Sequence, residues 1–328
     1  MRYFSLGLAL LALLVIALGA YTRLSDAGLG CPDWPGCYGQ VAVPSSPEAI
    51  AQIEVAYEQA LEPQKAWIEM IHRYVAGTLG LGILVIFGMS WKPAKHSKRI
   101  PWLTCVLVGM VIFQALLGMW TVTLKLYPPV ILLHLFGGIT TLSLLWWHSL
   151  QYGLLKPCAI SVSFRPWLIF GLLLLIIQIA LGGWTSANYA ALICPDFPYC
   201  QGQLLPHLSW ASFFHSSGIA SDNQTLVTIH MMHRFGAIIV VSYLLGLSSL
   251  MLVKKRLSKS HLFTGLLLGF LILMQATLGI LNIVLLLPMF TAVAHNVVAV
   301  LMVVTLLTMI YRSQKYSAGK KSDILANN

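Results

Sequence analysis

Charge is what this 328-residue chain has least of: Lys, Arg, Asp and Glu make up 9% of it, against about 25% in soluble domains. That shortage excludes an ordinary cytosolic globular protein. Acids are scarcer than bases, 10 Asp and Glu against 20 Lys and Arg. The resulting charge of +10 still does not signal nucleic-acid binding, because no basic cluster is interleaved with aromatics on a soluble domain. What is abundant is apolar: 58% of the residues are hydrophobic and the mean hydropathy is +0.81. One membrane anchor needs only about 20 apolar residues, so apolar character spread over the whole length describes an all-α polytopic membrane protein.

Apolar windows fall at roughly 4–22, 66–91, 101–123, 129–151, 166–186, 226–252, 261–286 and 288–311. Eight spans put both termini on one side. Lys92, Lys95, Lys98 and Arg99 follow the second span, Lys156 and Arg165 the fourth, and Lys254, Lys255, Arg256 and Lys259 the sixth; Arg2, Arg312, Lys315, Lys320 and Lys321 share their side. The long segments 23–65 and 187–225 hold most of the acids, among them Asp26, Asp33, Glu48, Glu54, Glu58, Glu62, Asp196 and Asp222. The Lys/Arg bias places the first set, with both termini, in the cytoplasm and the two long loops outside. Arg2 ahead of the first span, and Ala17 and Gly19 near its end, also suit a cleaved signal peptide; an internal repeat argues for retention.

An offset of 161 lays Gln114 on Gln275, Gly118 on Gly279, His134 on His295 and His72-Arg73 on His233-Arg234. An offset of 163 lays Thr22 on Thr185, Cys31 on Cys194 and Cys37 on Cys200. The first span therefore has a counterpart in the fifth. The pattern predicts two pseudo-symmetric four-helix bundles, parallel because an even number of spans separates them: an N-terminal half over 1–155, a C-terminal half over 156–311 and a cytoplasmic tail over 312–328.

Of ten histidines, His96, His148, His207, His215 and His261 sit in loops or at span ends, where a solvated or interfacial imidazole needs no function. His72, His134, His233 and His295 lie within apolar helices, where a polar side chain is costly and points to a function. Each pair falls within about two turns of the outer end of its spans, at about 1.5 Å per residue, so the two imidazoles match in depth. They can clamp a flat ligand from both faces, as a bis-histidine haem requires. Zinc wants about four N, S or O ligands, and no carboxylate or cysteine cluster stands beside either pair. Two haem sites, one per half, is the economical reading.

Glu69 stands three residues before His72 and shares its helix face, with Pro63 suited to the first turn; the bland reading is an exposed surface carboxylate. Its repeat counterpart is His230, an asymmetry expected if one haem is worked upon and the other carries electrons. Arg73 and Arg234 follow the ligand histidines and want an anion, which haem propionates would supply, or they snorkel to the interface. Gln114, Gln275 and Asn282 are polar residues in spans that can bridge helices. Cys31 and Cys37 close CPDWPGC, and Cys194 and Cys200 close CPDFPYC, in external loops whose prolines fold each interval back. An oxidising compartment permits a disulfide in each; a redox-active first-loop thiol is the alternative. Cys105 and Cys158 read as free and structural. Ser46 to Leu61 suggests a short amphipathic helix over the bundle mouth.

The chain resembles the haem A synthases. The resemblance rests on YTRLSDAGLGCPDWPGC after span one, EMIHRYVAG in span two, QALLGMWTV in span three, LHLFGG in span four, and IHMMHRFGA, QATLGI and VAHNVVAV in the second half. It implies oxidation of the C8 methyl of haem O to a formyl through two hydroxylations, giving haem A for terminal oxidases. It also implies that His72 and His134 flank haem O as substrate, that His233 and His295 ligate a permanent haem b, and that Glu69 is the catalytic acid/base candidate. Cys31 and Cys37 look like the first-loop pair of bacterial members. The expected location is the bacterial cytoplasmic (inner) membrane, with membrane lipid, haem O synthase, terminal-oxidase assembly factors and an unidentified electron acceptor as partners. The second half has Ser186-Ala187-Asn188 where Arg23-Leu24-Ser25 stands, so a role for Arg23 does not transfer. The competing class is a di-haem b-type electron-transfer protein; a transporter of parallel repeats would need no histidine pairing.

Overall fold

The computed structural model describes residues 1–57, 60–97, 101–155, 164–210, 222–253 and 259–326, with the backbone alone over 92–97, 259–261 and 314–326. Glu58, Lys98, Arg99, Lys156, Cys158, His215, Lys254, Lys255 and Arg256, named above, lie outside the described residues. The described residues form α1 (Arg2–Leu24), α2 (Pro47–Tyr57), α3 (Pro63–Ser97), α4 (Trp102–Thr123), α5 (Pro128–Gln151), α6 (Arg165–Ala187), α7 (Asn223–Val253), α8 (Lys259–Val284) and α9 (Met289–Ala326). Among them there is no strand, only isolated bridges joining Cys37 to Gln40 and Cys200 to Gln203. All but α2 contain a stretch long and apolar enough to cross a membrane. Their lateral faces leave side chains such as Ile112, Leu133, Ile177 and Phe270 exposed, a surface that water would penalise and lipid covers.

Local chemistry explains where the helices start. Proline opens α2, α3 and α5 at Pro47, Pro63 and Pro128, where its missing N–H has no intrahelical acceptor to lose and its fixed φ suits the first turn. The ends are less ordinary. Lys125 and Leu126 after α4 take φ of 50° and 59°, and Leu286 and Leu287 after α8 take 56° and 63°. Asp26, Tyr38 and Gly39 are matched by Tyr189, Gln201 and Gly202, all at positive φ. Non-glycine residues adopt this conformation seldom, and every one of these pairs stands at the same 161 or 163 offset as the cysteines and histidines. The repeat is therefore written in the backbone as well as in the side chains.

Two compact units divide the chain within α5: Met1 with Tyr3–Leu145, and Arg2 with Trp146–Asn328. In the first unit the helices approach at glycines. A Cβ on Gly82 of α3 would meet Leu8 of α1 at 2.5 Å, one on Gly80 would meet Val111 of α4 at 3.2 Å, and one on Gly138 of α5 would meet Ile16 of α1 at 3.7 Å. In the second unit α6 packs on α7, α7 on α8, α8 on α9 and α9 on α6. Its densest core lies along α9, with Val300, Met302, Val303, Leu306 and Met309 buried. Helix α2 packs Ile53 into a cluster with Cys31, Cys37, Tyr38, Val43, Leu61, Ala66 and Met70.

Candidate functional site

Helix α3 carries His72 and α5 carries His134; the two ring centres are 6.5 Å apart, with planes at 77°. In the other unit, His233 of α7 and His295 of α9 stand 6.5 Å apart at 78°. Metal–imidazole bonds of about 2.0 Å on opposite sides of one ion, with about 1.2 Å from each nitrogen to its ring centre, separate two rings by roughly 6.4 Å. Both pairs thus stand at a separation at which their imidazoles would be able to hold one metal ion between them. The seats of the rings agree with this. A Cβ on Gly19, Gly182 or Gly279 would lie 3.0, 2.9 or 3.1 Å from Cε1 of His72, His233 or His295, and one on Gly118 3.7 Å from Cε1 of His134. Each imidazole lies edge-on against a glycine of a neighbouring helix. Nδ1 of His72, His134 and His295 is buried without a hydrogen-bond partner, a condition that native interiors avoid unless a further group belongs there. Among the described residues no three His, Cys, Asp or Glu side chains converge as a metal cluster.

Beside each pair, one arginine holds a disulfide-closed loop. In the first unit Cys31 and Cys37 are bonded, and both Asp33 oxygens accept backbone N–H groups, from Tyr38 at 2.6 Å and Gly39 at 2.7 Å. Arg73 donates to the carbonyls of Asp33 at 3.0 Å, Gly36 at 2.5 Å and Pro35 at 3.3 Å. In the second unit Cys194 and Cys200 are bonded, and Asp196 accepts from Gln201 and Gly202, each at 2.8 Å. Those amides, Gly202's foremost, hold the Asp196 carboxyl below the usual carboxylate range. Arg234 donates to the carbonyls of Tyr199 at 2.8 Å, and of Cys194 and Asp196 at 3.0 Å. Arg73 is thus held by loop carbonyls together with the Glu69 carboxylate, and Arg234 by loop carbonyls.

Glu69 is buried, at 4% exposure, which removes the surface-carboxylate reading. Its Oε1 receives Arg73 Nη2 at 2.5 Å and its Oε2 receives the Cys31 N–H at 2.9 Å, so the carboxylate ties the first loop to α3 one turn before His72. His230, at the matching position, instead places Nδ1 2.8 Å from the Ala190 carbonyl. His148, expected at a solvated or interfacial end, is 3% exposed and packs against Tyr152 with ring centres 4.7 Å apart and planes tilted by 43°. Its place on the inward side of the last turn of α5 decides this, not its distance from the helix end. His207 is exposed, and Cys105 is a free thiol. Sequence reasoning missed Gly19 and Gly182, although the 163 offset relates them, and it missed Gln178, which has no polar counterpart. Gln178 Nε2 donates to the His233 carbonyl at 2.9 Å and lies 3.0 Å from His233 Nδ1; Gln275 Nε2 lies 3.1 Å from His295 Nε2.

Fold and site together define the class: a polytopic helical membrane protein with two buried histidine pairs of metal-ligating separation. Residues 2–307 match the COX15-CtaA family model, described as "Cytochrome oxidase assembly protein". A "Heme A synthase" of Shewanella oneidensis is 45% identical over 315 residues, covering 91% of this chain and 92% of the relative. One from Neorickettsia sennetsu is 28% identical over 316 residues, with 88% and 92% covered, and one from Caulobacter sp. is 24% identical over 332 residues, with 94% of each covered. The chain belongs to the COX15-CtaA family of cytochrome oxidase assembly proteins.

Proposed function

We propose that this protein is a haem A synthase, an enzyme of haem biosynthesis that oxidises the C8 methyl of haem O to a formyl group. The observation that carries the reading is the histidine pair at 6.5 Å, present twice, in a chain 45% identical to a Heme A synthase. The same similarity favours the synthase over a di-haem b electron carrier. Converting a methyl to a formyl takes one water oxygen and releases four electrons and four protons to an acceptor. His72 and His134 are the residues to hold the substrate haem O, and His233 and His295 those to hold a resident haem b. When bound, that haem b supplies a one-electron carrier within the same chain.

Placement and electrostatics are the protein's share of the work. Glu69 is the acid/base candidate: it is a carboxylate at the position where the other half carries His230, one turn from a substrate ligand. It can take a proton from an attacking water or stabilise positive charge on the methyl carbon. Arg73 and the Cys31 amide fix its orientation, as a positioned base requires. The sequence repeat supports two pseudo-symmetric parallel four-helix bundles, an N-terminal substrate half over 1–155 and a C-terminal haem b half over 156–311. The basic linkers support a location in the bacterial cytoplasmic membrane with both termini inside. Partners follow from the reaction: haem O and an electron acceptor, with haem O synthase and oxidase assembly factors upstream and downstream.

The test is chromatography of haems from cells that make haem O and lack any other route to haem A. The wild-type chain should yield haem A. Glu69→Gln should keep haem in both sites while haem A falls by roughly 10²–10⁴-fold, the range for losing a positioned acid/base. Absence of haem A from cells making folded wild-type protein would refute the synthase reading.

A further inference from the structure

Arg73 and Arg234 are both committed to their loops, so the carboxylates that a haem carries on one edge must find cations elsewhere. Lys and Arg are biased to the cytoplasmic side of a membrane protein, and the outer linkers of the second half, 187–225 and 285–288, follow that rule by containing neither. The corresponding linkers of the first half, 23–65 and 124–127, break it three times, at Arg23, Lys65 and Lys125. Lys65 is answered within its own turn by Glu62 at 2.8 Å. Arg23 and Lys125 are matched in the repeat by Ser186 and Leu286. The first histidine pair therefore has two cations at its outer end that the second lacks.

Their places fix what they can reach. Arg23 lies four residues after Gly19, so the two share a face of α1, and Gly19 is the seat of the His72 ring, whose Cε1 would stand 3.0 Å from a Cβ there. Helical side chains lean toward the N-terminus, which for Arg23 is back toward that seat. The Arg23 side chain is 14% exposed, and its ion pair with Asp26, at 3.5 Å, is with a carboxylate 64% exposed, a pairing that costs little to exchange. Lys125 is exposed in the turn after α4. Its neighbour Leu126 meets the loop after α1, where a Cβ on Gly28 would stand 3.1 Å from Leu126 Cδ2, so the segments carrying the two cations touch. Arg23 is four residues outward of Gly19 and Glu69 three outward of His72, about 6 and 4.5 Å at 1.5 Å per residue. The guanidinium-bearing residue and the carboxylate thus share the outer side of the ring.

We propose that Arg23 and Lys125 receive the propionates of the haem O held by His72 and His134, and thereby choose which edge of the macrocycle faces Glu69. Arginine supplies a planar fork that matches a carboxylate and lysine a point charge. The C8 methyl shares its pyrrole ring with one propionate, so a macrocycle held by its carboxylates at this end carries that methyl toward the depth of Glu69. A macrocycle turned in its own plane would present a different substituent. The inference rests on the haem O reading of the first site.

The experiment is spectroscopic titration of haem O, and of its dimethyl ester, into detergent-solubilised full-length protein purified from cells that make no haem O. Wild type should bind the diacid about 10–100-fold more tightly than the ester, the range for one charge-assisted hydrogen bond, and the preference should shrink at high salt. Arg23→Gln with Lys125→Gln should bind diacid and ester alike, with the haem b spectrum of the second site unchanged, and Arg23→Lys should keep part of the preference. A double variant that prefers the diacid as strongly as wild type would overturn the proposal. So would a wild type indifferent to esterification, a comparison that needs no variant to fold. His72→Ala is the separate control. If it leaves the haem O titration unaltered, the haem O reading of this site falls and this inference with it; loss of the titration there, with no effect of Arg23 and Lys125, refutes the anchoring role alone.

Discussion

Glu69 and Arg73 form a nearly buried ion pair, their side chains 6% and 12% exposed, and its energetics depend on which member is removed. Arg73→Ala leaves a buried carboxylate and three loop carbonyls unpaired, and breaking a buried pair in this way costs about 3–5 kcal/mol. The expected result is a first loop whose Cys31–Cys37 bond becomes accessible to phosphine reductants, measured by thiol labelling. Glu69→Gln keeps an acceptor opposite Arg73 but turns an amide donor toward the Cys31 N–H, so it should lose haem A production while opening the loop less than Arg73→Ala does; equal labelling in the two variants would make Glu69 a structural anchor alone. Gly182→Ala is a second discriminating change. It puts a methyl 2.9 Å from His233 Cε1, so the ring must turn, and the second site should lose haem b while Gly7→Ala, with open space around it, should not. The four histidines were legible from sequence because an imidazole in an apolar span stands out. The loop partners of Arg73 were not, since they lie 37 to 40 residues away in a loop whose carbonyls carry no side-chain signal.

At the scale of elements, the eight spans follow from apolar runs of bilayer length, and the membrane-crossing stretches differ from the windows by a few residues, while α3 and α9 run on past them to Ser97 and Ala326. The turns after α4 and α8 were invisible in the sequence for a stated reason. Lys125, Leu126, Leu286 and Leu287 take left-handed φ without the Gly or Asn that normally announces it. The second loop permits a pH test. Backbone donors lower the Asp196 pKa, so the order it contributes is present above the ordinary carboxylate range and is lost only as pH falls through the depressed value. Reduction of Cys194–Cys200, both fully buried, should therefore stay slow through mildly acidic pH and accelerate below it. Asp196→Asn should reduce faster throughout, with no acid limb. Acceleration of the wild type near pH 6 would assign the loop's order to another group.

For the whole molecule, the repeat organises the cysteines, the arginine clamps, the left-handed turns and the histidine pairs. Departures from it distinguish the two halves: Glu69 stands against His230, and Val15 with Val75 against Gln178 with Gly236. The two-fold pattern was readable from spacing alone. The paired exchange was not, because Gly236 acquires meaning only once the Gln178 carboxamide is seen beside it. Division of labour between the halves is tested most directly by extracting and weighing the haems of purified wild type and of His72→Ala, His134→Ala, His233→Ala and His295→Ala, made in cells that supply haem O. Wild type should hold haem b together with haem O or its oxidised products. The first two variants should keep haem b and lose the others, and the last two should lose haem b. A His233→Ala protein with a full haem b complement and an unchanged low-spin spectrum would contradict the assignment of the halves.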